Sequence, residues 1–121
     1  MDSAAPLLEI VGRAMLGSIF IIGGLRHLPV FSLVTERFRV RGVPLPKTSL
    51  TVGTVFQIVV GAFLMLGLFQ TASAIGLIAF TIAASVIVHN FWDMEGEARR
   101  MALFWWQSNV GIMGGLLVLA A

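Results

Sequence analysis

Two largely apolar runs decide the fold of this chain: SLTVGTVFQIVVGAFLMLGLF at residues 49–69 and TASAIGLIAFTIAASVIVHNFW at residues 71–92. A bilayer core about 30 Å thick is crossed by about 20 apolar residues of helix, so each run is long enough for one crossing. Gln70 and Thr71 are nearly all that separates the two runs. The pair is therefore predicted to be a tight hairpin of two membrane-spanning helices.

Two further apolar runs flank this hairpin, at residues 7–28 and 101–121. We therefore predict an all-α membrane protein, a bundle of four transmembrane helices that forms a single domain over residues 1–121. The first run stops at Pro29, which cannot continue a helix without losing a backbone hydrogen bond. We expect no cleavable signal sequence, because residues 1–6 contain Asp2 and no basic cluster.

The composition supports the same fold class. Hydrophobic residues make up 58% of the chain and charged residues only 12%, whereas soluble domains carry roughly 25% charged residues. In water, a single small domain of this composition would expose large apolar patches and aggregate. The bilayer is therefore the expected partner of this surface.

The connection between the first two spans, residues 29–48, leaves two interpretations open. Phe31, Val34 and Phe38 recur at helical spacing, so a short amphipathic helix could lie in the membrane interface. A plain loop explains the same stretch. Residues 42–46, GVPLP, are expected to form an extended turn, because each proline biases the residue before it away from helix.

The basic residues indicate how the chain is oriented. Most of them lie in the first and third connections: Arg37, Arg39, Arg41, Lys47, Arg99 and Arg100. Cytoplasmic loops retain such residues, so both termini are predicted on the non-cytoplasmic side of a bacterial-type inner membrane. This topology explains the basic pI, and we expect no nucleic-acid partner. Arg13 lies on the opposite side, where it could pair with Glu9 four residues earlier or hold an anionic headgroup or substrate.

Small residues are expected to mediate helix packing, since lipid provides no hydrophobic force between helices. Candidates occur on three spans: Gly12, Gly17 and Gly24; Ala72, Gly76, Ala79 and Ala83; and Gly111, Gly114 and Gly115.

Several separate segments of the chain resemble the DoxX family of small four-helix membrane proteins, in the family's order. They are GR at 12–13, GGLRHL at 23–28, GVPLP at 42–46, LGLF at 66–69, HNFW at 89–92, and Asn109 ahead of GGLL at 114–117. The family is named after a small subunit associated with a thiosulfate:quinone oxidoreductase and terminal oxidase. The resemblance implies the four-helix fold. It also shows one departure, since Gln57 stands where the family usually has a glutamate.

Polar side chains from all four spans are predicted to share one layer in the cytoplasmic half of the bundle. The candidate ligand-binding residues are Arg26, His27, Gln57, His89, Asn109, Trp92 and Trp105. One interpretation is a pocket that opens toward the cytoplasmic leaflet, in which Gln57 and His89 hydrogen-bond a quinone-like carbonyl and the indoles stack on its ring. The alternative is a cluster of interhelical hydrogen bonds with tryptophans in the usual interfacial belt.

The sequence assigns no catalytic residue and no metal site. It contains no cysteine, which excludes disulfides, thiolate metal ligands and dithiol electron transfer. A haem held by His27 and His89 is disfavoured, because His27 lies beside Pro29 at a helix end, and two histidines are too few for a closed zinc site. No cofactor motif is evident in the sequence, although the polar layer could hold a quinone.

Two functions from different classes follow from these observations. The first is an accessory or structural subunit of a quinone-linked or respiratory-type membrane redox complex, with no catalytic activity of its own. Its partner would be a larger membrane complex or further copies of the chain. The second is a small membrane enzyme or carrier that binds quinone, lipid or another hydrophobic molecule near the cytoplasmic face.

Overall fold

The computed structural model describes residues 5–121, so most of the segment considered for a signal sequence lies outside the described residues. Five α-helices form within this range: α1 (Ala5–Leu25), α2 (Phe31–Val40), α3 (Pro46–Leu66), α4 (Gln70–Val88) and α5 (Gly96–Ala120). Short 3₁₀ turns, Leu28–Val30 and Phe91–Asp93, precede α2 and α5. No strand occurs in this part of the chain, and the all-α prediction is confirmed.

Four segments of the described chain are long and apolar enough to cross a membrane, and they contain α1, α3, α4 and α5. About half of the large apolar side chains on these helices are exposed, including Leu8 at 69% and Val118 at 76%, while the buried core is small. In water such a surface would drive aggregation. The prediction of a four-helix transmembrane bundle is therefore confirmed.

The helices begin and end at residues that differ from the expected spans. α1 ends at Leu25 rather than at residue 28, and α3 begins at Pro46, whose missing amide hydrogen costs nothing at a helix start. α3 ends where Gly67 takes a left-handed conformation, φ +73°. α5 begins at Gly96 rather than at residue 101, because its first turn extends past the apolar stretch.

The segment between the first two spans contains a helix, and the plain-loop interpretation is wrong. In α2, Val34 and Phe38 are half-buried against the bundle, whereas Glu36, Arg37 and Arg39 are exposed. α2 contacts both α3 and α4. Its amphipathic pattern is therefore used as a short helix that covers one end of the bundle.

The helices pack in an antiparallel bundle in which α1 lies mainly on α3, and α4 lies mainly on α5. Helices α1 and α3 approach each other closely at two glycines, Gly17 and Gly61. A Cβ atom on Gly17 would lie 2.6 Å from the carbonyl oxygen of Gly61, so only glycine allows this contact. Leu64, Leu77 and Leu116 form the centre of the buried core.

Several expected small-residue contacts are absent from the described residues. A Cβ atom placed on Gly12, Gly111 or Gly114 would meet no other atom within 4 Å, and Ala72, Ala79 and Ala83 are exposed. The inward face of α4 instead carries other residues, among them Ala74, Leu77, Thr81 and Ser85. In a helix that is apolar on every side, a stripe of small residues does not define the packed face.

At the end of the bundle where α1 begins and α5 ends, the side chains of Arg13, Glu9 and Gln70 connect the helices. The Gln70 side chain accepts a hydrogen bond from Arg13 at 3.2 Å and donates to the Glu9 carboxylate and the Leu119 carbonyl, both at 2.9 Å. The Arg13 guanidinium lies over Gly67. The structure thus favours the pairing of Arg13 with Glu9 over the capture of an anion, with Gln70 as a link that the sequence did not reveal.

Candidate functional site

A cavity of about 520 Å³ lies at the opposite end of the bundle, between α2, α3, α4 and the turn after α1. Fifteen of the described residues form its wall: His27, Val34, Phe38, Val43, Ser49, Leu50, Gly53, Thr54, Gln57, Phe80, Ala83, Ala84, Ile87, Val88 and His89. The wall is mainly apolar, with a few polar groups that converge on the interior. Small-molecule sites in proteins have this size and this composition.

Gln57 is the most informative residue in this wall. Its side chain is only 8% exposed, and Oε1 is buried with no hydrogen-bond partner among residues 5–121. A Cβ atom on Gly23 would lie 2.7 Å from Gln57 Nε2, so the glycine leaves the space that the amide occupies. Whichever way the amide is oriented, it has a hydrogen-bonding group that no described residue satisfies.

His27 reaches the cavity from the turn that follows α1. Its Nδ1 lies 2.8 Å from Thr54 Oγ1, a hydrogen bond between α3 and the end of the first span. This contact holds the imidazole through Nδ1. Thr54 and Gln57 are three residues apart and share one face of α3, and this spacing could have identified Thr54 from the sequence.

His89 lies at the C-terminal cap of α4 and is positioned by two tryptophans of α5. Its carbonyl oxygen accepts a hydrogen bond from Trp106 Nε1 at 2.6 Å. Its imidazole stacks on Trp105, with ring centroids 5.8 Å apart and an angle of 19° between the planes. Trp105 therefore supports a cavity residue without lining the cavity itself.

The remaining candidates do not line the cavity. Asn109 donates a hydrogen bond at 2.8 Å to the hydroxyl of Ser85, which is fully buried between α4 and α5. Arg26 and Trp92 are exposed. The predicted layer is thus divided: His27, Gln57 and His89 surround one cavity, while Asn109 joins two helices, as the interhelical interpretation expects.

Arg41 has a structural contact that the charge pattern did not reveal. Its guanidinium donates to the carbonyl oxygens of Ile87 at 3.1 Å and Val86 at 3.2 Å, and it pairs with Asp93 at 3.2 Å. These carbonyls belong to the last turns of α4, where a cation is also favoured by the helix dipole. Arg41 therefore attaches the end of α2 to the end of α4, beside the cavity.

The described residues contain no group of three or more His, Cys, Asp or Glu side chains that could hold a metal ion. The polar groups of the cavity are one amide, two imidazoles and two hydroxyls, and all are neutral or weakly basic. Such groups can both donate and accept hydrogen bonds. They match a neutral ligand with carbonyl or hydroxyl groups.

Comparison with known proteins shows a match to the DoxX family over residues 8–90, more than half of the chain. The chain belongs to the DoxX family. The DoxX segment extends from α1 to the end of α4, so it contains every residue of the cavity wall, whereas α5 with Trp105 and Asn109 lies beyond it.

A curated relative of this DoxX protein is "Inner membrane protein YphA" of Escherichia coli strain K12. The two are 32% identical over 120 residues, which cover 98% of this chain and 84% of the relative. No solved structure matches the chain significantly. The DoxX protein is thus an integral membrane protein, in agreement with the expected inner-membrane location, while the orientation of its termini stays a prediction.

Proposed function

We propose that this DoxX protein binds a neutral, lipid-soluble molecule in the cavity between α2, α3 and α4. The ligand has a ring with carbonyl or hydroxyl groups, as a quinone does. The observation that carries the proposal is the buried, unpartnered amide oxygen of Gln57 in an otherwise apolar wall. A buried polar group without a partner costs roughly 1 to 3 kcal/mol. A ligand hydroxyl, such as that of the reduced quinone, would donate to this oxygen and remove the cost, while a quinone carbonyl would accept a hydrogen bond from Gln57 Nε2.

The chemistry of the wall selects the ligand class. None of the fifteen wall residues is an acid, a lysine or an arginine, so a charged headgroup would find no counter-ion there. The amide of Gln57 and the imidazoles of His27 and His89 can each bond a carbonyl or a hydroxyl group. Phe38 and Phe80 supply apolar surface for a ring.

The test is a binding titration in lipid nanodiscs with a benzoquinone that carries a ten-carbon tail, measured by quenching of the native tryptophans. We expect saturable binding that Gln57→Leu weakens about tenfold or more, since a lost hydrogen bond of about 1.4 kcal/mol changes affinity tenfold. Gln107→Leu is the matched control, because Gln107 is an exposed amide of α5 outside the cavity wall. Absence of saturable binding, or equal affinity in the two variants, would refute the proposal.

The accessory-subunit function is a second candidate, and a different observation favours it. Gln107 is exposed on α5 within a membrane-spanning segment, and Gly111 and Gly114 lie on the same helix with open space in front of them. An amide facing lipid is stabilised when another transmembrane helix supplies a hydrogen-bond partner. The helix could belong to a larger redox complex or to another copy of the chain.

Purification in mild detergent with mass spectrometry tests this candidate. We expect a stoichiometric partner chain, or a homo-oligomer, that Gln107→Leu releases and Gln57→Leu retains. A monomeric protein purified without any partner would contradict the subunit function. Quinone that stays bound to this monomer would still support the ligand-binding function.

A further inference from the structure

We propose that the cavity is filled sideways from the hydrocarbon of the bilayer, through a gap between α3 and α4 at Ala83. This inference rests on the proposed binding function and adds the route and the source of the ligand. The ligand is a molecule dissolved in the membrane, which reaches the site without passing through water.

The position of the gap follows from exposure. Of the fifteen residues in the cavity wall, Ala83 is the one that is exposed. A residue that both lines a cavity and faces outward lies at its mouth. The same wall contains Gly53 of α3 and Ala84 of α4, so small residues of both helices line the cavity.

The mouth lies at a depth where lipid, not water, surrounds the protein. Ala83 precedes His89 by six residues, which places it about 9 Å along the helix from the polar end of α4. The side chains beside it on the outer surface are apolar: Ala79, Ile82 and Val86 are all exposed. A molecule arriving there comes from the acyl chains.

The aqueous end of the cavity is covered. Three apolar side chains from α2 and the turn after it cover this end: Val34, Phe38 and Val43. Hydrogen bonds from Arg41 to carbonyl oxygens of α4 hold α2 in this position. Because α2 covers the aqueous end and the opening at Ala83 faces the lipid, a ligand enters with its ring first, toward Gln57. Its tail then remains among the lipid chains.

Two exposed alanines of α4 provide a matched test. Ala83 lines the cavity and Ala79, one helical turn away, does not. With the tailed benzoquinone dissolved in nanodisc lipid and tryptophan quenching followed by stopped flow, Ala83→Phe is expected to slow association about tenfold or more. Ala79→Phe should associate at the wild-type rate. Equal rates for Ala83→Phe and the wild type would overturn the lateral route.

A second variant distinguishes blockage of the cavity entrance from occupation of the cavity itself by the substituted side chain. The chain contains no cysteine, so Ala83→Cys provides a single thiol that can be alkylated with a bulky maleimide after the quinone has bound. Alkylation should slow release of the bound quinone, and unchanged release would contradict the route. Wild-type protein that shows no saturable binding refutes the proposed function itself, whereas saturable binding with unaltered kinetics in both Ala83 variants refutes only the route.

Discussion

Replacement of Gln57 by leucine should make the ligand-free protein more stable. The amide is buried, and its oxygen has no partner among the described residues. A leucine has a similar size, faces a mainly apolar wall and needs no hydrogen bond. The substitution removes the cost of an unsatisfied buried group, so we expect the free energy of unfolding to rise by about 1 to 2 kcal/mol.

Asn109→Leu should have the opposite effect. The Asn109 amide donates to the Ser85 hydroxyl, which is 0% exposed, so the variant leaves that hydroxyl without its interhelical donor. Hydrogen bonds between transmembrane helices contribute about 0.6 kcal/mol on average and up to about 1.7 kcal/mol. We therefore expect a loss of about 1 kcal/mol for Asn109→Leu.

The assay is unfolding in mixed micelles, with a rising fraction of sodium dodecyl sulfate and helix content followed by circular dichroism. The protein must first be freed of bound lipid-soluble molecules, because a ligand that binds only the folded state raises the apparent stability. If Gln57→Leu lowers the stability as Asn109→Leu does, then Gln57 is a structural hydrogen-bonding residue. The argument for a ligand site at this amide would then be wrong.

Two further variants test the parts of the structure that surround the site. Arg41→Ala should speed hydrogen exchange of the α2 amides about tenfold or more, since charged hydrogen bonds contribute about 1.5 to 3 kcal/mol. Arg39→Ala should not, because within residues 5–121 the Arg39 side chain pairs only with the exposed Glu36 on its own helix. Equal exchange in both variants would contradict the attachment of α2 to α4 by Arg41. Gly17→Ala should lower the free energy of unfolding by about 1 to 3 kcal/mol, because the new Cβ would meet the α3 backbone. Gly12 faces open space, so Gly12→Ala should leave that free energy unchanged or raise it by up to about 1 kcal/mol. A similar loss of stability in both variants would disprove the close contact at Gly17.

The sequence was sufficient for the fold class and for part of the site. Runs of about 20 apolar residues between polar connections specify transmembrane helices, because the bilayer requires every backbone hydrogen bond to be satisfied within the helix. Polar side chains in such runs are rare, so His27, Gln57 and His89 could be singled out without coordinates. The amphipathic spacing in residues 31–40 likewise indicated a helix, although it left a loop as an equal alternative.

Only the tertiary structure decided which way these side chains point. Gln57 and Asn109 are both amides within apolar spans, yet one has an unpartnered oxygen in a cavity wall and the other joins α4 to α5. Ala83 belonged to an expected packing stripe and lies instead at the mouth of the cavity. A helix that is apolar on every side carries no periodic signal for its inward face. Its rotation, and with it the cavity, is set by packing contacts such as that between Gly17 and Gly61.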